Sequence, residues 1–147
     1  MLRDTIRTDL TAAMKAREAL RTSTLRMLLT SMKNLQVERG HELDDDEVIE
    51  VIGREAKRRR EAIESFTAGG RTDQAEKEQA ELAVLRSYLP EQLSEADLAA
   101  LVDEAIAESG ATEIKQMGAV MKALMPKVKG RADGSAVSSA VRARLGG

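Results

Sequence analysis

Six basic side chains near the end of the chain have the type and spacing best suited to a chemical role. They lie between Met117 and Leu145, a segment in which Asp133 is the one acidic residue. Cations without acidic partners on their own helix leave their charge for an outside anion, and phosphate suits flexible cations beside free backbone N–H groups. A basic surface that only aids solubility is the competing interpretation. The six residues are Lys122, Lys127, Lys129, Arg131, Arg142 and Arg144.

A second basic cluster is the run Lys57–Arg60, four consecutive cations that on their own would suggest an RNA contact. Opposite charges lie four residues away, as in Glu50 with Arg54 and Glu55 with Arg59. This spacing is typical of a solvated helix face held by ion pairs. We therefore predict an exposed structural face for this run.

Acidic residues offer two candidates for metal binding or acid–base chemistry. The run Asp44–Glu47 lacks the spacing of a calcium loop, whereas Asp44 with Glu47 has the spacing of a capping box at a helix start. Glu78 and Glu81 lie one helical turn apart, but the sequence identifies no His, Cys or carboxylate partner for them on another helix. We predict no catalytic residue, no metal site and no cofactor.

Missing residue types exclude several functional classes. The 147 residues include no cysteine and one histidine, His41, so thiolate catalysis and cysteine zinc sites are excluded. No apolar run is long enough to span a bilayer, and Asp4 and Asp9 interrupt a basic start that a transit peptide would keep free of acids. We expect a cytoplasmic protein without a membrane partner.

The net charge of −2 conceals a strong asymmetry along the chain. The balance is +3 over residues 1–43, −4 over 44–89, −7 over 90–114 and +6 over 115–147. A chain of nearly neutral charge can therefore present an anion-binding face through its last 33 residues.

Composition and periodicity predict an all-α fold. Aromatic residues make up 1% of the chain, whereas strands favour aromatic and β-branched residues. Apolar residues recur at helical spacing in seven stretches, as in a helical bundle. Because composition changes at Pro90, we predict a four-helix N-terminal part over residues 1–90 and a three-helix C-terminal part over residues 91–147.

Capping and breaking residues predict where several helices begin and end. A residue of Thr22–Thr24 should cap the second helix, and Ser94 should cap the fifth. Thr112 should cap the sixth helix, which should end before Pro126. Gly118, inside that helix, suggests a close approach by another helix.

The C-terminal segment Met117–Gly134, MGAVMKALMPKVKGRADG, resembles the signature of the GatB/YqeY family. The segment Leu85–Ser94, LRSYLPEQLS, matches the pattern of free-standing YqeY proteins, as do Leu25–Leu29, Arg59–Ile63 and Glu78–Glu81. The resemblance covers nearly the whole chain.

This resemblance implies a two-part helical fold and a link to tRNA. The C-terminal part is similar to the tail of the B subunit of the tRNA-dependent amidotransferase, a tRNA-contacting module, and YqeY-like domains are also appended to some glutaminyl-tRNA synthetases. The catalytic portion, ATP site and metal ligands of the amidotransferase have no counterpart here. Carried over by residue, the implied RNA-facing positions are Lys122, Lys127, Lys129 and Arg131, followed by Arg142 and Arg144.

Three functions remain open at this point. The leading one is a non-catalytic tRNA-binding or tRNA-associated accessory protein that contacts shape and phosphates, because Phe66 and Tyr88 are expected in the core and leave no platform for stacking bases. The alternative is a protein-interaction module that docks onto an aminoacyl-tRNA synthetase or amidotransferase. The third is an enzyme related to carbon–nitrogen ligases with glutamine as amido-N-donor, which would use Glu78, Glu81 and Arg86.

Overall fold

The computed structural model describes residues 1–146, and this part of the chain contains α-helices and one short 3-10 helix but no strand. The all-α prediction is therefore confirmed. Contacts divide the chain into two compact units, unit 1 over Met1–Leu89 and unit 2 from Pro90 onward. No helix of the described residues is long and apolar enough to cross a membrane.

Unit 1 consists of four helices around one apolar core. The helices are α1 (Leu2–Lys15), α2 (Ala19–Arg39), α3 (Asp45–Ala68) and α4 (Thr72–Arg86). Each contributes apolar side chains at helical spacing, so that burial of one stripe per helix stabilises the unit. Fully buried members of this core are Ile6, Leu25, Leu28, Val48, Ile52 and Leu85.

Unit 2 has three longer helices and a core of its own. The helices are α5 (Glu95–Ser109), α6 (Met117–Val128) and α7 (Gly134–Arg144), with the 3-10 helix Ile114–Gln116 before α6. Both α6 and α7 pack on α5, which lies at the centre of the contacts within this unit. Fully buried members of the core are Val102, Ala105, Val120, Leu124, Val128, Val137 and Val141.

Local capping signals predict two helix starts correctly. At α3, the Glu47 backbone N–H donates to Asp44 Oδ1 at 2.8 Å and the Asp44 N–H donates to Glu47 Oε1 at 3.2 Å, which completes the capping box. At α5, the Asp97 N–H donates to Ser94 Oγ at 3.1 Å. These side chains satisfy backbone donors that a helix start leaves unpaired.

The predicted cap of α2 is wrong. The helix begins at Ala19, so Thr22–Thr24 lies within its first turns. The Thr24 hydroxyl donates to the Leu20 carbonyl at 2.8 Å, a bond to the preceding turn that lets threonine sit inside a helix. The Ser23 and Thr24 hydroxyls therefore both donate to the Leu20 carbonyl of their own helix and do not cap its start.

The predicted ends of α6 are also wrong. Glu113 is the N-cap of the 3-10 helix that precedes α6, and the Thr112 N–H and hydroxyl instead donate to Gln116 Oε1. The helix continues through Pro126 to Val128, because proline there disturbs only the last turn, which the Lys129 N–H closes by donating to the Met125 carbonyl at 3.0 Å.

Gly118 does not mark a close helix approach. Beyond its chain neighbours and its own helix backbone, no atom lies within 4 Å of the position that a Cβ would take. The prediction of tight packing at this position is wrong, since the glycine faces open space in the first turn of α6.

Candidate functional site

The outer side of α6 carries two predicted cations without acidic neighbours. Val120 and Leu124 face the core, whereas Lys122, Met125 and Lys129 are exposed on the other side. Lys129 directly follows the last turn of α6, seven residues after Lys122, so its Cα lies on the same side of the helix, about 10 Å further along the axis. Neither lysine forms an ion pair with any of residues 1–146.

On α7, Arg142 is a third cation of this kind. It follows the buried Val141 on a helix whose inner stripe also includes Val137, and its own side chain is exposed. Within the described chain, Arg142 has no acidic partner. Lys122, Lys129 and Arg142 thus have no acidic partner among the described residues, and we call these three the free cations of unit 2.

Lys127 meets two carboxylates of α5. Its Nζ lies 3.2 Å from Glu104 Oε1 and 3.2 Å from Glu108 Oε1. The hydrogen bonds to Glu104 and then Glu108 raise the pKa of Lys127 above its ordinary value, so the ammonium form is favoured. The spacing of charges within α6 does not reveal these partners, because the packing of α6 on α5 supplies them.

Arg144 and Arg131 are also engaged. Arg144 Nε lies 3.2 Å from Asp103 Oδ1 on α5. Arg131 Nε donates to the Glu91 carbonyl at 3.1 Å, and the Leu93 N–H donates to the Arg131 carbonyl at 2.9 Å. Arg131 therefore holds the α6–α7 connection against the segment before α5, a structural role alongside its charge.

Unit 1 contains a buried charge network that joins α2, α3 and α4. Arg59 is 4% exposed, and its Nη1 lies 2.9 Å from Glu55 Oε2 while its Nε lies 3.3 Å from Glu81 Oε2. The Ser31 hydroxyl donates to Glu55 Oε1 at 2.8 Å. Two buried carboxylates thus share one guanidinium, with a hydroxyl satisfying one of the remaining oxygen sites.

The solvated-face prediction for Lys57–Arg60 is therefore wrong at Arg59, although the predicted pair of Glu55 with Arg59 is formed. Arg59 is covered because α4 packs closely along α3, which excludes water from this turn. The prediction is right for Arg58, which is 73% exposed, and for the exposed pair of Arg54 with Glu50 at 2.7 Å.

The same network constrains the enzymatic interpretation. The carboxylate of Glu81 is used by Arg59, so it is not a free acid or base. Among the described residues, no group of three or more His, Cys, Asp and Glu side chains could hold a metal ion. The acidic run at the start of α3 is explained by the capping box.

Tyr88 lies two residues after the end of α4 and packs against the core of unit 1. Its hydroxyl donates to Asp9 Oδ2 at 2.6 Å and accepts from Arg21 Nη2 at 3.4 Å. Burial, and then the hydrogen bond to Asp9, raise the pKa of Tyr88 above its ordinary value. Phe66 is half-buried on α3, so neither aromatic ring is fully buried, and Tyr88 is tied down through its hydroxyl.

Comparison with known proteins assigns the chain to a family. The model of the family described as "Yqey-like protein" matches residues 3–145. The protein of Lachancea thermotolerans named "Altered inheritance of mitochondria protein 41, mitochondrial" is 32% identical over 114 residues, which cover 76% of this chain and 58% of that protein. The Eremothecium gossypii protein of the same name is 32% identical over 85 residues, 57% of this chain and 46% of that protein.

A third relative, an uncharacterized protein of Schizosaccharomyces pombe, is 34% identical over 93 residues, which cover 63% of this chain and 76% of that protein. The chain thus spans little more than half the length of the Lachancea relative. Two of these three names place the relatives in mitochondria, so the cytoplasmic location of this chain stays a prediction. With a family match over nearly its whole length, the chain belongs to the YqeY-like proteins.

Proposed function

We propose that this YqeY-like protein is a non-catalytic accessory protein that binds tRNA through unit 2. The observation that carries the proposal is the set of free cations, exposed and without acidic partners among residues 1–146: Lys122 on α6, Lys129 directly after α6, and Arg142 on α7. No acidic residue occurs from Ile114 to Ala132, so the outer side of α6 has a positive potential that favours phosphate.

The contacts made by these residues suit the sugar–phosphate backbone rather than base edges. Lysine and arginine on a helix surface bind phosphate oxygens and position an RNA without reading its sequence. A sequence-reading surface for single strands would use exposed aromatic rings for stacking, and the one tyrosine, Tyr88, is held by Asp9. Recognition of tRNA by its shape and backbone fits this set of side chains.

Lys127 and Arg144 are two further cations that can contact RNA once their ion pairs are exchanged for phosphates. Lys127 pairs with two α5 carboxylates and Arg144 with one, on the surface of unit 2, and their side chains are 35% and 51% exposed. Exposed ion pairs contribute only about 0–1 kcal/mol, so an RNA phosphate can replace a carboxylate at little cost. The free cations are expected to make the first contacts, and the paired cations to add to them once RNA is bound.

The test is tRNA binding by the full chain, measured by fluorescence anisotropy at low salt. The variant K122E/K129E/R142E reverses the three free cations, whose side chains make no core contacts. The matched control is R71E/K77E/R86E, which makes the same charge change at exposed positions in or beside α4 of unit 1. We expect at least about a tenfold loss of affinity in the first variant and a much smaller loss in the control.

Equal losses in the two variants would show that only net charge matters and would contradict the proposal. Absence of tRNA binding by the parent chain would also contradict it and would favour the docking of this protein on a synthetase or amidotransferase. Circular dichroism of both variants is the check that the helices remain intact.

A further inference from the structure

The outward side of α2, in unit 1, is a second surface free of acidic residues. From Ala19 to Val37 the helix contains three basic residues and no acidic one, in a chain with 25 acidic residues among 147. Two of the three, Arg26 and Lys33, are exposed and form no ion pair with any described residue. The third, Arg21, lies beside Asp9 and Tyr88.

The spacing of α2 places these groups on one face. Leu28 and Leu35 are buried against the core, whereas Ser23, Thr30 and Asn34 are exposed on the opposite side. Short polar side chains therefore occupy the middle of the exposed face. At about 100° per residue, Arg26 and Lys33 lie along one edge of this face, two turns apart.

Arg58 of α3 lies along the other edge of this face. Ser31 of α2 donates to Glu55 Oε1, and Arg58 Nη1 lies 3.5 Å from the same oxygen. Because Glu55 is itself held by the buried Arg59, its carboxylate has a fixed position. The buried network thus places an exposed guanidinium beside α2, and the exposed face has cations along both edges.

We propose that this face, formed by Arg26, Lys33 and Arg58 around Ser23, Thr30 and Asn34, binds the phosphate backbone of the same RNA that unit 2 binds. The inference rests on the proposed function and deepens it, since it adds a contact surface on unit 1. Arginine, lysine, serine, threonine and asparagine are among the side chains that contact nucleic-acid phosphates and sugars.

The composition of the face favours RNA over an acidic helix of a partner protein. A docked helix needs apolar anchors in the middle of the interface, where water is excluded. The large exposed apolar side chains of α2 are Met27 and Val37, ten residues apart and separated by Thr30 and Asn34. Two isolated apolar groups do not form a continuous anchor, whereas flanking cations suit a chain of phosphates.

Two contact surfaces on one chain have a measurable consequence. An RNA that reaches both units binds the second surface as an intramolecular step, which raises its affinity above that of an RNA that occupies one surface. An RNA too short to occupy both surfaces, such as a short hairpin, is therefore expected to bind more weakly than tRNA.

The test compares R26E/K33E with K77E/R86E, both in the full chain and with the same charge change on unit 1. Lys77 and Arg86 are exposed on α4 and, like Arg26 and Lys33, form no ion pair with any described residue. Arg58 is left unchanged because it touches the buried Glu55. Loss of two phosphate contacts predicts about a tenfold weaker tRNA affinity for R26E/K33E and a log–log salt slope shallower by about 1.4 to 1.8.

Equal effects of R26E/K33E and K77E/R86E, or no effect of either, would overturn the inference. If K122E/K129E/R142E loses affinity and R26E/K33E does not, the α2 inference fails while the proposed function stands. A fluorescent oligoglutamate peptide serves as the probe for an acidic protein partner. Displacement of tRNA from the parent by this peptide at equal charge concentration would also contradict RNA as the ligand of this face.

Discussion

Arg59 Nη1 lies 2.9 Å from Glu55 Oε2, one turn earlier on α3, and each residue is only 4% exposed. The spacing is that of an ordinary surface ion pair on a helix, but α4 covers it and adds the carboxylate of Glu81. Removing one partner of a buried pair leaves an uncompensated charge, which costs far more than the loss of an exposed pair. This relationship makes the centre of unit 1 sensitive to a single substitution.

We predict that Arg59→Met lowers the free energy of unfolding by about 3–5 kcal/mol, because the buried Glu81 then has no cation and the buried Glu55 keeps only the exposed Arg58. Urea unfolding followed by circular dichroism measures the change. Arg58→Met, at an exposed neighbour, should change it by less than about 1 kcal/mol. The triple variant with Glu55→Gln, Arg59→Met and Glu81→Gln should recover most of the lost free energy of unfolding, because it leaves no buried charge.

If Arg59→Met and Arg58→Met lowered the free energy of unfolding by similar amounts, the buried network would be refuted.

The single tyrosine gives a direct optical test of unit 1, since the chain has no tryptophan. Burial and the Asp9 hydrogen bond raise the pKa of Tyr88, so tyrosinate absorbance should rise at a higher pH than in the unfolded chain. Asp9→Asn should lower this pKa toward the ordinary value of about 10 without restoring it fully, because burial is the larger cause. A titration at the ordinary value in the parent chain would contradict this contact.

The raised pKa of Tyr88 also determines how the stability of the fold changes with pH. In the folded state Tyr88 keeps its proton at pH values where the unfolded chain loses it, so the unfolded state binds fewer protons. This contribution is present in full below the unfolded pKa of about 10 and is lost as pH rises through the folded pKa. Urea midpoints of the parent should therefore fall more steeply above pH of about 10 than those of Tyr88→Phe.

The α5 carboxylates are predicted to restrain RNA binding. Glu104→Gln with Glu108→Gln removes both partners of Lys127, which then adds a free cation to unit 2. We expect tRNA affinity to rise by several-fold, about the effect of one further phosphate contact. The control variant, Glu64→Gln with Glu76→Gln, removes the same charge from exposed positions of unit 1. An equal rise in its tRNA affinity would show that net charge alone causes the effect.

Gly53, inside α3, should be replaceable with a gain in stability. No atom beyond its own helix backbone and chain neighbours lies within 4 Å of the position that a Cβ would take. Alanine is the better helix former, so Gly53→Ala should raise the free energy of unfolding by about 0.5–1 kcal/mol. Gly40→Ala is the contrasting variant, because Gly40 has a φ of +75° at the end of α2. This substitution should lower the free energy of unfolding by about 1–2 kcal/mol.

Features that depend on neighbouring residues in the chain were predictable from the sequence. The Asp44–Glu47 capping box, the Ser94 cap and the left-handed Gly40 follow from spacings of a few residues. The all-α fold follows in the same way from apolar residues at helical spacing.

Features that depend on packing between helices were not predictable. Nothing within a few residues of Arg59 indicates that Glu81, 22 residues later, will cover it. In the same way Lys127 meets Glu104, which lies 23 residues earlier on α5. Three of the six candidate cations therefore have partners, and the free cations Lys122, Lys129 and Arg142 could be selected only once the helices were placed.

The most direct test of tRNA binding by unit 2 is the salt dependence of affinity for the parent chain and for K122E/K129E/R142E. Each phosphate contact releases counterions, so log affinity falls linearly with log salt concentration. We predict that the parent binds tRNA at low salt and that the variant has a slope shallower by about 2 to 3, as expected for the loss of three contacts. A parent chain with no affinity for tRNA at low salt, or equal slopes for the two proteins, would contradict the account.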